Sequence, residues 1–134
     1  MWFYIDPASG VPIYLQIINQ VKKAAATGLL KPGDRLPSVR DLATELTVNP
    51  NTIAKAYHEL EREGIIYTER GKGTFLAPRE PKLLPEERRK MLEKLIDALL
   101  VEAHHLRFTK DEVREIINRR LEEWFNETGR DESD

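Results

Sequence analysis

Gly33–Phe75, GDRLPSVRDLATELTVNPNTIAKAYHELEREGIIYTERGKGTF, is the stretch from which the rest of the chain can be read. Ser38 and Asp41 have the S-x-x-D spacing of a capping box, in which the hydroxyl satisfies an orphan backbone N–H of the first helical turn. Behind them Val39, Leu42, Ala43 and Leu46 recur at helical spacing and predict a short helix with one buried stripe. Arg40 lies on the other side of that helix. Asn49 can cap the next helix, with Pro50 pre-set for its first turn. Ile53, Ala56, Tyr57 and Leu60 make its buried face, and at about 100° per residue Asn51, Lys55, His58 and Arg62 fall opposite. Gly64 ends it. IIYTE and GTFLA, residues 65–69 and 73–77, read as two short strands joined through Arg70, Gly71 and Lys72. A capped helix, a tight turn, a second helix and a glycine-tipped hairpin follow the order of a winged helix-turn-helix.

On the N-terminal side, Pro12 suits a first helical position, and Tyr14, Ile17, Ile18, Val21 and Ala25 carry a helix over about 12–27. Residues 1–11 read as irregular or extended, and LLKPGDRLP as a connector. On the C-terminal side, the proline-marked PREPKLLPEE (Pro78 to Glu87) is a boundary. Beyond it Met91, Leu92, Leu95, Ile96, Leu99, Leu100 and Ala103 form one apolar stripe. Val113, Ile116, Ile117, Leu121, Trp124 and Phe125 form a second, behind a Thr109–Glu112 cap. The closing TGRDESD is expected to be disordered. The fold class is therefore mainly α with a small β-hairpin. A winged helix-turn-helix domain over residues 1–78 is followed by a linker and two-helix tail over 79–134.

Composition narrows the function classes. The 134 residues contain no cysteine, which removes disulfides, thiolate metal sites and cysteine nucleophiles. An aromatic content of 7% is too low for a base-stacking platform on single strands. No apolar run approaches the roughly 20 residues of a membrane span, and MWFYIDPASG lacks the features of a signal peptide. A cytoplasmic location without membrane partners is the expectation. The net charge of −2 conceals an asymmetry: residues 1–79 sum to +2 and residues 80–134 to −4. Any nucleic-acid contact is thus expected in the first part, through clustered cations.

PIYLQI, GLLKPGDRLPSVRDLA and LTVNPNTIAKAYHELEREGIIYTERGKGTFLA together resemble the DNA-binding domain of GntR-family bacterial transcription regulators, over about residues 8–77. The short helical remainder resembles the YtrA subfamily, whose tail is a dimerisation element. The expected duplex-DNA contact set is Ser38, Arg40, Asn49, Asn51, Thr52, Lys55, Arg70, Gly71 and Lys72, of which the resemblance implies Arg40, Asn51, Thr52, Arg70, Gly71 and Lys72. Arg40 matches the arginine of LPSxRxLA, Asn51 and Thr52 open the recognition helix, and Arg70-Gly71-Lys72 match the wing tip. Pro50 departs from relatives that carry a base-reading arginine there. In this architecture the free N–H groups and positive dipole end of the recognition helix suit a phosphate.

Each assignment has a bland counterpart. Asn51 presents the donor and acceptor that match adenine, or simply fills a helix start; Lys55 donates to guanine or phosphate, or is a solvated charge. Arg40 suits bidentate recognition, or pairs with Asp41 or Glu45 on its own helix. Arg70-Gly71-Lys72 reach into a groove, or form only a turn. His104 and His105 point about 100° apart, which argues against one shared metal ion. No cofactor or metal is expected.

The tail stripe suits a partner more than a ligand pocket. Leu92, Leu95, Ile96, Leu99, Ile117, Leu121 and Trp124 are the expected dimer interface. An isologous pair would set two recognition helices about one turn of DNA apart. The reading is a sequence-specific, homodimeric DNA-binding regulator, a repressor on a palindromic operator, with an unknown small-molecule effector as a further partner. The alternatives are a winged-helix protein-interaction module and a non-specific architectural DNA binder. An enzyme is disfavoured because no nucleophile–base pair stands out.

Overall fold

The computed structural model describes residues 2–78 and 83–128, so the expectations for the middle of the linker and for the tail beyond residue 128 lie outside it. The chain divides into two compact units, Met1–Arg79 and Glu80–Asp134.

The first unit opens with an extended arm whose Phe3 is buried and stacked on Trp2, ring centroids 4.0 Å apart. Helix α1 (Ile13–Thr27) holds this arm through two glutamine amides. Gln20 accepts from the Tyr4 N–H at 2.8 Å and donates to the Tyr4 carbonyl. Gln16 accepts from the Asp6 N–H at 2.9 Å and donates to the carbonyls of Asp6 and Val11. A side-chain amide offers a donor and an acceptor like those of a peptide group, so each glutamine stands in for a neighbouring strand.

Next come β1 (Arg35–Leu36), α2 (Val39–Leu46), α3 (Pro50–Arg62), β2 (Ile66–Glu69) and β3 (Gly73–Leu76). The expected two-stranded hairpin is in fact a three-stranded antiparallel sheet of order β1-β3-β2. The extra strand comes from the segment read as a connector. Two residues are too few to show alternation; their strand character is conferred by β3. The Gly33 N–H donates to the Leu76 carbonyl at 2.8 Å, and the Leu76 N–H to the Asp34 carbonyl at 2.9 Å. The register places Arg35 opposite Phe75 and Leu36 opposite Thr74, so Leu36 turns inward and Arg35 outward.

Ile17 and Val21 of α1, Leu36 of β1, Leu42 of α2, and Ile53 and Leu60 of α3 are the largest wholly buried side chains. Ile66 and Leu76 close the sheet over them. The predicted stripes of α1, α2 and α3 thus share one core, and burial of about this many aliphatic side chains, at roughly 1.5–3 kcal/mol each, is what holds the sheet to the helices. Tyr57 adds a directional tie: its buried hydroxyl donates to the Pro37 carbonyl at 2.7 Å, fixing the bend before α2.

The second unit contains α4 (Pro85–His105) and α5 (Lys110–Thr128). Pro85 opens α4, and Thr109 and Glu112 form the expected reciprocal cap at the start of α5, at 2.8 and 3.2 Å. None of the residues of α4 is buried. Among the described residues no helix is long and apolar enough to cross a membrane.

Candidate nucleic-acid interface

The helix-turn-helix is assembled by two caps and one strained turn. Ser38 accepts from the Asp41 N–H at 3.0 Å and sets where α2 begins, which puts Arg40 on its first exposed turn. At the other end Thr47 adopts the left-handed conformation, φ 54°, and the Val48 N–H closes back on the Ala43 carbonyl at 3.0 Å. A β-branched residue rarely takes this conformation. Here it turns the chain sharply enough for Asn49 to start α3.

Asn49 caps α3 by accepting from the Asn51 N–H at 2.8 Å. This corrects one expectation. The first N–H groups of α3 were expected to be open to a phosphate, yet Pro50 has none, Asn51 donates to the cap and Thr52 donates to the Asn49 carbonyl at 3.0 Å. What remains for a ligand at this helix end is its dipole and its side chains. Ser38 and Asn49 each use a side-chain acceptor in capping, which leaves the Ser38 hydroxyl proton and the Asn49 amide N–H groups as donors.

Asn51, Ala54, Lys55 and His58 are exposed along α3, and Thr52 is half-buried. Lys55 is not simply solvated: its Nζ lies 3.9 Å from the centre of the Tyr14 ring on α1. Such a contact is worth about 0.5–1 kcal/mol at an exposed site and restrains an otherwise mobile ammonium. Arg62, on the same face but at the far end of α3, is held by Glu59, whose carboxyl sits below its usual range because Arg62 donates to it. Lys22 is similarly engaged, 3.0 Å from Glu63.

The wing turn is closed by the Lys72 N–H donating to the Glu69 carbonyl at 2.9 Å. Gly71 at φ 81° supplies a conformation that side chains seldom adopt, so Arg70 and Lys72 flank a bare backbone. Lys72 is 3.8 Å from Glu69, with both side chains largely in water. Across the described residues Arg40 and Arg70 have no carboxylate partner, so the Asp41 and Glu45 pairings considered for Arg40 do not form. Arg62 and Lys22 at the far end of α3 are paired, and Lys72 lies near Glu69, whereas Arg40 on the first turn of α2 and Arg70 on the wing are not paired among the described residues.

Arg35 escaped the sequence reading. Its only signal was its alternation with Leu36 between Gly33 and Pro37, too short to interpret. Tyr14 and Tyr57 were read as core-facing, and their polar roles toward Lys55 and Pro37 depend on neighbours remote in sequence. His104 and His105 lie edge-on, ring centroids 5.7 Å apart, and no group of three potential metal ligands occurs among the described residues.

In the second unit Leu92, Leu95, Ile96, Leu99 and Leu121 are exposed, Leu95 to 68%, whereas Ile117 and Trp124 are half-buried. The α4 stripe is therefore open along its length.

Residues 13–76 match the family described as bacterial regulatory proteins, gntR family. Over 127 residues the chain is 44% identical to the HTH-type transcriptional repressor YtrA of Bacillus subtilis (strain 168), covering 95% of this chain and 92% of that protein. Among solved structures it is similar to a transcriptional antiterminator from Listeria monocytogenes EGD-e, with TM-score 0.78, 34% identity and 92% of each chain covered. It is also similar to YtrA from Sulfolobus acidocaldarius, a GntR-family transcription factor, with TM-score 0.61, 38% identity, and 74% of this chain and 97% of that one covered.

Proposed function

The chain belongs to the GntR family of bacterial regulatory proteins, and on that premise we propose that it is a homodimeric repressor that binds a two-fold-symmetric operator. DNA-binding transcription regulation, as opposed to enzymatic catalysis, is the activity of the family. The finer statements rest on this chain's own geometry.

The observation that carries the proposal is the distribution of unneutralised cations. Arg40 on the first turn of α2 and Arg70 on the wing keep their charges unpaired in the described residues, while Arg62 and Lys22 near the far end of α3 are paired. Duplex phosphates complete what these arginines lack. Asn51, at the exposed start of α3, then presents its amide to base edges, and Arg70 and Lys72 follow the backbone into the adjacent groove. The paired N–H groups of α3 shift phosphate binding onto side chains.

Dimerisation accounts for α4. An amphipathic helix of 21 residues that buries none of them needs an apolar partner, and a second copy supplies the same stripe in a self-complementary arrangement. Residues 1–78 would bind DNA, and the helices of 79–134 would set the spacing between half-sites. An operator overlapping a promoter is then closed to polymerase by bulk alone, the sense of regulation carried by the name of the Bacillus subtilis relative.

Selection of bound fragments from random duplex DNA, followed by titrations at several salt concentrations, tests the proposal. A two-fold-symmetric sequence bound about 10³-fold or more above scrambled DNA is the expected result. A steep salt dependence without any enriched sequence would make the protein an architectural binder, and no binding to duplex DNA would overturn the reading.

A further inference from the structure

Arg35 is exposed on the outer face of β1, opposite Phe75. Its side chain does not stay beside that partner. It runs two residues along β3 toward the wing turn and lies over Gly73: a Cβ placed on Gly73 would stand 2.8 Å from Arg35 Nε and 3.2 Å from Cζ and Nη2. Gly73 is extended through φ 127°, a conformation that itself favours glycine, so the missing side chain both permits the backbone path and leaves the guanidinium its place.

Three features make this more than packing. Arg35 has no carboxylate partner among the described residues, in contrast to Arg62 and Lys22. The guanidinium lies against Gly73, and such a group carries five N–H donors in a planar fork suited to a phosphate. And the group is carried to the end of the sheet where Arg70 and Lys72 flank the turn, so that β1 adds a cation to a wing whose own hairpin supplies two.

Resting on the DNA-binding reading above, we propose that Arg35 is a further contact to the DNA backbone: it binds a phosphate beside the groove entered by the wing, from a strand outside the wing hairpin. A phosphate contact carries no sequence information. It therefore strengthens binding to selected and unselected duplexes alike, and it releases counterions.

The test is the salt dependence of DNA affinity for the full chain, with folding checked by circular dichroism. Arg35→Gln removes the charge and keeps most of the stem. The slope of log K against log salt should become shallower by about 0.9 per bound subunit, so that the affinity lost between 50 and 200 mM salt shrinks by about 3.5-fold per subunit. The change should be equal on the selected operator and on scrambled duplex, and Arg35→Lys should restore the slope. Lys22→Gln removes the same charge at the far end of α3 and should leave the slope unchanged. A wild-type slope in Arg35→Gln, or an equal loss in Lys22→Gln, overturns the inference while the DNA reading stands. Failure of the unmodified protein to bind any duplex overturns the DNA reading and the role of Arg35 with it.

Discussion

Replacing Tyr57 by Phe tests whether α3 is tied to the bend before α2 by a hydrogen bond or only by packing. The phenol is 6% exposed and its hydroxyl donates to the Pro37 carbonyl at 2.7 Å. Tyr57→Phe keeps the ring and leaves that carbonyl without its donor, which costs about 1–2 kcal/mol at neutral pH. A second signature comes from ionisation. Burial pushes the Tyr57 pKa above its ordinary value of 10.0, so in alkali the unfolded chain loses this proton first. Unfolding then releases a proton, and rising pH favours it. The contribution is complete below pH 10.0 and lost above it at about 1.4 kcal/mol per pH unit. The Phe variant lacks this loss. Its deficit should therefore shrink above pH 10.0 and vanish about one unit higher. Urea denaturation at pH 7 to 11.5 measures both effects. In a Trp124→Phe background the remaining tryptophan, Trp2, stacked on Phe3, reports the first unit alone. A deficit below about 0.3 kcal/mol at pH 7, or one constant through pH 11, would refute the reasoning.

Thr47→Gly relieves a β-branched residue at φ 54° and should raise the unfolding free energy read from urea denaturation by about 1 kcal/mol, after the entropy cost of glycine in the unfolded chain. Leu60→Ala removes a fully buried side chain where α3 meets the other helices and should cost about 2–5 kcal/mol by the same assay. Thr109→Ala should fray the first turn of α5, seen as faster amide exchange there. Because the Thr109 N–H holds the Glu112 carboxyl below its usual range, the intact cap should also weaken as acid protonates that group, being complete above pH 4.5 and lost below. Leu95→Glu places a charge in the middle of the open α4 stripe and should halve the mass seen by sedimentation. An unchanged mass would remove α4 from the proposed dimer.

The helices and their ends were determined by sequence alone, because their signals are local. Ser38, Asn49 and Thr109 each cap the helix for which their spacing to the next apolar residue marked them, and each stripe repeats at the helical period. The exposure of Arg40, Asn51 and Arg70 was equally legible, since it follows from local position on a helix face or in a turn. Tertiary structure decided everything that depends on a neighbour distant along the chain. Arg35 and Leu36 are a strand only because β3 lies beside them, and Arg35 reaches the wing only because Gly73 leaves space. Lys55 is restrained by an aromatic ring 41 positions earlier, and Tyr57 holds the turn at Pro37. Even the charge pattern that favours DNA is tertiary. Composition gives the first part of the chain a small positive excess, but which arginines keep their charge unpaired depends on the carboxylates that folding brings within reach. A periodic pattern records which face of an element is buried; it does not record what lies against that face.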